Sequence, residues 1–207
     1  MRKLILAAAL ATPFFASAAT NLVTNGSFEA FTGGSFSGFT TVFAGQATLT
    51  GWTVGGASVD VINGNFGAIS GNSIDMLGTP GPGSLSQSLN TIAGQTYKLT
   101  FDLGANTGSD SSVVDGNLIS KQLNVSLSNG TAATYYGNST KATESISFTA
   151  NSALTQLTFT SAASGYSGAV LDNVAVAAVP EPETYAMLLA GLGLMGAIAK
   201  RRKAKQA

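Results

Sequence analysis

Between Tyr97 and Leu103 the chain alternates without a break: Tyr97, Leu99, Phe101 and Leu103 are apolar, while Lys98, Thr100 and Asp102 are polar. A period of two sends successive side chains to opposite faces of a strand, so this segment can bury one face and leave the other wet. The pattern returns at Leu123, Val125 and Leu127, at Ile146 and Phe148, at Leu157 and Phe159, and at Val174 and Val176. Further strand candidates cover 48–54, 57–62, 72–77 and 84–89, and no helical period of useful length occurs between about residues 20 and 179. About nine to eleven short strands separated by Gly, Asn, Ser and Asp predict an all-β fold, a two-sheet β-sandwich of jelly-roll type.

Turn chemistry agrees. Asn25-Gly26, Asn63-Gly64 and Asn129-Gly130 supply residues that tolerate positive φ, and the last pair lies between two alternating runs, where it predicts a hairpin. Gly104 to Asn117 reads as the longest polar loop, either a rim loop or part of a ligand edge. No internal repeat points to a solenoid.

Composition removes whole classes of chemistry. The 207 residues contain no Cys and no His. A disulfide framework, a thiolate nucleophile, a Cys-bearing zinc site and a Ser-His-Asp triad are all excluded. Net charge is zero only because unlike regions cancel. The middle carries Lys98, Lys121 and Lys141 against Glu29, Asp60, Asp75, Asp102, Asp110, Asp115, Glu144 and Asp172, while the other cations lie at the ends. An acidic domain without clustered Lys and Arg repels duplex nucleic acid.

Both ends have their own logic. Met1-Arg2-Lys3 precedes an apolar stretch from Leu4 to Phe15 and the small residues Ala16-Ser17-Ala18-Ala19. That is the pattern of a signal peptide over 1–19, cleaved after Ala18 or Ala19, and it implies passage through the Sec export machinery. At the other end, Pro180 and Pro182 cannot continue a strand, so the domain is expected to stop near Val179. An uncharged run follows at 185–199, then the basic cluster 200–205. As a helix the run is about 22 Å long against a hydrocarbon core of roughly 30 Å. The absence of a polar face and the snorkelling basic cluster make it a single transmembrane helix of the precursor, with the cluster on the cytoplasmic side.

Pro180-Glu181-Pro182, a short Gly/Ala/Leu-rich helix and a terminal cluster including Arg201 and Arg202 resemble the PEP-CTERM sorting signal. The resemblance implies a Gram-negative bacterium and recognition of Pro180, Glu181 and Pro182 by exosortase. It also implies transient anchoring, then removal or exchange of the helix and a final place at the cell surface or outside. Gly191-Leu192-Gly193-Leu194-Met195-Gly196 matches G-x-G-x-x-G, but no strand precedes it and no acidic residue follows at dinucleotide spacing. Gly193 and Ala197 instead give a small-residue helix face.

A second resemblance rests on Asn21-Leu22-Val23-Thr24-Asn25-Gly26-Ser27-Phe28-Glu29, Gly51-Trp52, Ser58-Val59-Asp60-Val61, Gly71-Asn72-Ser73-Ile74-Asp75-Met76, Leu85-Ser86-Gln87-Ser88-Leu89 and Gly168-Ala169-Val170-Leu171-Asp172-Asn173-Val174. Together they resemble the choice-of-anchor C domain, which is similar to plant cell-wall domains with galactose-binding-like jelly rolls. The resemblance implies adjacent opening and closing strands and a structural Ca²⁺ held by Glu29 and Asp172, with oxygens near Ser27 contributing. The bare alternative is that Glu29 and Asp172 bond to backbone groups at a sheet edge. Trp52, the single tryptophan, either anchors the core or stacks on a sugar. Asp60 and Asp75 lie in strand runs, and their spacing does not show whether their carboxylates face one another, as a glycosidase would need.

The expectation is an exported, exosortase-processed, non-catalytic protein of the surface or matrix whose jelly roll binds envelope or biofilm polysaccharide. The alternative is a structural or adhesion module that associates with itself or with other surface proteins.

Overall fold

The structure is a computed structural model, and it describes residues 20–108, 113–114, 117–118, 121–161, 163, 165–180, 189–198 and 201. The signal-peptide segment with Ala18 and Ala19, Glu181 and Pro182 of the sorting motif, and Arg202 lie outside the described residues. The chain divides into a unit at Thr20–Val179 and a second made of the two ends.

Among the described residues thirteen strands follow in order: β1 (Gly38–Phe43), β2 (Thr53–Gly56), β3 (Ser58–Asn63), β4 (Asn72–Asp75), β5 (Gly83–Asn90), β6 (Thr96–Ala105), β7 (Val113–Val114), β8 (Asn117–Leu118), β9 (Gln122–Leu127), β10 (Ala132–Tyr136), β11 (Ala142–Thr149), β12 (Leu154–Ser161) and β13 (Ala169–Ala178). One large sheet runs β1-β3-β4-β13-β6-β11 and the second β10-β9-β12-β5-β2, while β7 and β8 form a small two-stranded sheet of their own. Every pairing is antiparallel. The expected two-sheet sandwich is what forms.

The alternation makes the core. Tyr97, Leu99, Phe101 and Leu103 of β6 face inward with Val59, Val61, Ile74, Leu171 and Val176 of their own sheet. Leu85, Leu89, Leu123, Val125, Leu157 and Phe159 come from the other sheet. Phe101 meets Phe159 edge to face at 5.4 Å, which ties the sheets together at their centre. With no disulfide available, this burial and the ladders hold the domain.

Asn129-Gly130 closes the β9–β10 hairpin as expected: Gly130 has φ 93° and its N–H donates to the Leu127 carbonyl at 3.0 Å. Other expectations are corrected. The opening segment 21–29 is a turn rather than a strand, although it does lie along β13: Leu22 N–H donates to Val176 O, and Val174 N–H to Gly26 O. Gly104 and Ala105 belong to the end of β6, and β7 pairs with β8, so the polar stretch 104–117 is not all loop. Strands β1 and β10 lie at sheet edges with few buried side chains, so neither needed a clean apolar alternation to form.

In the other unit the described residues 189–198 and Arg201 are helical, and this helix is α1. Among the described residues no helix is long and apolar enough to cross a membrane. The expected span at 185–199 begins and ends in residues that lie outside the described ones.

Candidate functional site

Polar side chains are expected on the outer face of the six-stranded sheet, yet several there are fully buried. Asp60, Asp75 and Asp172 are 4 %, 0 % and 0 % exposed. The register puts Asp60 directly opposite Asp75 on the neighbouring strand, so their side chains leave the sheet on the same side. Three loops cover them.

The first follows β3. Gly64, Phe66, Gly67 and Gly71 all adopt positive φ, which only glycine does without strain. A Cβ on Gly67 would stand 2.2 Å from the Ala105 carbonyl oxygen, so this glycine lets the loop lie against the end of β6. Phe66 is thereby brought against Phe39 of β1, edge to face at 5.6 Å. The second loop places Thr79 on Asp60: its N–H and hydroxyl donate to the two carboxylate oxygens at 3.3 and 3.2 Å. The third carries Tyr166 and Ser167, and is fixed by Gly168, whose N–H donates to Asp75 Oδ1 at 2.9 Å and whose carbonyl accepts from Asn106 N–H.

Between these loops lies a cleft of about 130 Å³ lined by Phe39, Asp60, Ile62, Phe66, Thr79, Asn106, Gly108, Tyr166 and Ser167. Phe39, Phe66 and Tyr166 are 46 %, 41 % and 56 % exposed, which gives the cleft aromatic walls open to solvent. Asp75 lies beneath it. Leu77 N–H and Gly168 N–H donate to its Oδ1, and Asn106 Nδ2 donates to its Oδ2 at 2.5 Å. Those donors favour the ionised form, but burial outweighs them and the facing Asp60 adds to it, so the Asp75 carboxyl is pushed up to about 7.

The residues singled out in the sequence are distributed differently. Trp52 is in the core, 4 % exposed, packed on Phe28 and Phe159, with its indole N–H donated to the Asn25 carbonyl at 3.0 Å. Of its two readings the geometry is that of the core anchor, since no ring face is open to a sugar. Glu29 and Asp172 both reach the segment 70–73. Glu29 Oε1 accepts from Asn72 N–H, while Asp172 Oδ2 accepts from Ser70 N–H, Ser70 Oγ and Ser73 Oγ, and its Oδ1 from Asn173 N–H. Burial is the main cause that raises the Asp172 carboxyl above its ordinary range. Both of its oxygens accept hydrogen bonds in this arrangement. Among the described residues no group of three or more acidic, His or Cys side chains is placed to hold a metal. Ser27 lies in an open groove with Asn21, Asn25 and Asn173, along the seam between the opening turn and β13. Pro180 ends the domain, and just before it Val179 N–H donates to Thr96 O.

Phe39, Phe66, Asn106 and Tyr166 were not singled out by sequence reasoning. The available signal was the Gly64-Asn65-Phe66-Gly67 run with its neighbours, which marks a tight loop but not what the loop covers.

A two-sheet antiparallel sandwich with an aromatic cleft on one outer face, followed by a Pro-bounded tail, defines a β-sandwich module with a separate C-terminal tail. The chain belongs to the family described as Protein of unknown function (DUF642), whose model matches residues 21–177, and a PEP-CTERM protein-sorting motif matches 178–203. That motif implies export to the cell envelope of a Gram-negative bacterium. Halomucin of Haloquadratum walsbyi is 32 % identical over 168 residues, covering 78 % of this chain; the chain spans about 2 % of the length of that protein. Among solved structures, a CBM4 module aligns with TM-score 0.46 and 18 % identity over 76 % of this chain and 99 % of its own. A family 16 carbohydrate-binding module aligns at 0.45 and 12 %, over 75 % and 99 %. TmCBM61, solved with β-1,4-galactotriose, aligns at 0.42 and 12 %, over 77 % and 99 %.

Proposed function

We propose that this chain is a non-catalytic carbohydrate-binding protein of the envelope or extracellular matrix, and that the cleft at Phe39, Phe66 and Tyr166 is its sugar site. The observation behind this reading is the cleft itself. Exposed aromatic rings offer apolar faces to a pyranose, and Asp60, Asn106, Thr79 and Ser167 offer the polar atoms that orient its hydroxyls. A closed cavity of roughly 150 Å³ holds a benzene ring, so a cleft of about 130 Å³ that opens to solvent contacts one ring of a longer chain without enclosing it.

The burial of Asp75 supports the non-catalytic reading. Asp75 has no exposed surface and its oxygens are met by three donors, so it cannot reach a glycosidic oxygen. The finer assignments belong to the same proposal: export by the Sec machinery after cleavage near Ala18 or Ala19, exosortase acting at Pro180-Glu181-Pro182, a membrane-anchored intermediate, and exopolysaccharide as the ligand. Calcium at Glu29, Asp172 and Ser27 is part of it only if Ser70 and Ser73 turn away from Asp172.

A glycan array, together with retention on the producing organism's exopolysaccharide in calcium and in chelator, tests the reading. The expected result is retention of the wild type and loss of about ten-fold or more in affinity for Phe66→Ala and Tyr166→Ala, since stacked aromatics dominate such sites. Retention on no polysaccharide, or variants that bind as the wild type does, overturns it. Self-association as a structural module is the second reading; the uncharged Ser, Thr, Asn and Gln side chains of β5, β9 and β12 support it.

A further inference from the structure

We propose that the cleft recognises an ammonium group, so that its ligand is an amino sugar with a free, charged nitrogen. This rests on the carbohydrate reading above and names the substrate class for the same site. Three observations lead there.

The walls are aromatic. Phe39 and Phe66 stand at 90° to one another, with Tyr166 also lining the cleft, and ring faces and their π-electrons attract a cation held within a few ångströms. The floor is anionic. Asp60 is 4 % exposed and, among the described residues, its hydrogen bonds come from Thr79, one to each oxygen, which leaves lone pairs on both oxygens for a further donor. Asp75 stands directly opposite on the next strand, so two carboxyl groups share this end of the sheet.

The third observation is where the cations are. The domain has three Lys and no Arg between residues 20 and 179. None of the three lines the cleft. Lys141 Nζ donates to the Ala68 and Ile69 carbonyls, Lys121 Nζ to the carbonyl and hydroxyl of Ser167, and Lys98 lies on β6 opposite Ser147 and Ala177. A uronate or sulfated sugar entering here would meet the Asp60 carboxylate, at a desolvated position where like charges repel strongly. Lys121, which reaches the cleft-lining Ser167, is buried behind it and already donates to it. A hexosamine ammonium would instead lie between the Asp60 carboxylate and the rings, and form a charge-assisted hydrogen bond.

The test uses the full chain and two pairs of probes. One pair is a β-1,4-linked glucosamine tetrasaccharide and its N-acetylated counterpart; the other is choline and its neutral isostere 3,3-dimethylbutan-1-ol. The expected result is about ten-fold or tighter binding of the free amine and of choline over their neutral partners. Asp60→Asn should remove both preferences. Phe39→Ala, at an exposed edge-strand position, should weaken choline several-fold with the circular dichroism spectrum unchanged, and keeps the test decisive if the Asp60 variant does not fold. Equal affinity for the two tetrasaccharides overturns the ammonium assignment and leaves sugar binding standing. Choline bound without any oligosaccharide overturns the carbohydrate reading, and with it the amino-sugar assignment.

Discussion

Asp75 has no exposed surface, and three donors to its carboxylate do not compensate for the water it has lost. Its carboxyl titrates near 7 instead of 3.8. Below about pH 4 the group is protonated in both the folded and the unfolded chain. Between about 4 and 7 the unfolded chain releases the proton while the folded domain keeps it, so stability falls as pH rises through that window and levels off above it. Asp172 is shifted in the same direction by the same main cause and adds to the slope. Urea unfolding at pH 5 and pH 8 should therefore show a domain that is less stable at pH 8, by an amount on the order of a few kcal/mol. Asp75→Asn cannot ionise and should flatten most of that difference, at the cost of one hydrogen bond. Its amide would face Asn106 Nδ2, and the Asn106 oxygen already accepts from Gly108 N–H. A wild type equally stable at both pH values would contradict the assignment. The burial that causes this was not legible in the sequence. Asp60 and Asp75 alternate with apolar residues as Asp102 does, and only the covering loops separate the buried pair from the half-exposed one.

At the scale of elements, the seam between the opening turn and β13 is the most constrained. The register of β13 slips between Asp172 and Ala175, and Asn173 takes φ 49° at that bulge. Val174 then donates its N–H to the Gly26 carbonyl at 2.9 Å. A Cβ at Gly26 would stand 1.9 Å from the Val174 carbonyl oxygen, in contact with backbone that cannot turn aside. Gly26→Ala should destabilise the domain by about 2 kcal/mol or more, which lowers Tm by roughly 4–8 °C for a domain of this size. Thermal unfolding of the purified variant measures it, and an unchanged Tm would show that the seam yields freely. Asn25-Gly26 was legible as a turn from residue type alone. That the turn lies against the closing strand was implied by the resemblance and appears only in the hydrogen bonds.

At the scale of the whole molecule, the two units have separate tasks. The sandwich ends at Val179, where Gln95 Nε2 and the Thr96 carbonyl hold the last residue, and Pro180 begins the sorting tail. Mass spectrometry of the mature protein should find a C-terminus close to Pro180-Glu181-Pro182, without the basic residues Lys200 to Lys205. An intact basic tail on the mature product would make α1 a permanent part of the protein and remove exosortase from the proposal.

Tail and sandwich were determined by the sequence alone, because each is local. A period of two needs only one strand to be seen, and two prolines stop a strand wherever they stand. The cleft was decided by tertiary structure. Phe39, Asp60, Phe66, Asn106 and Tyr166 come from an edge strand, an inner strand and three loops, and their meeting depends on register and on loops that fold back over the sheet. The same holds for Trp52, whose one-residue pattern fits core and surface equally until the opposing sheet supplies Phe159.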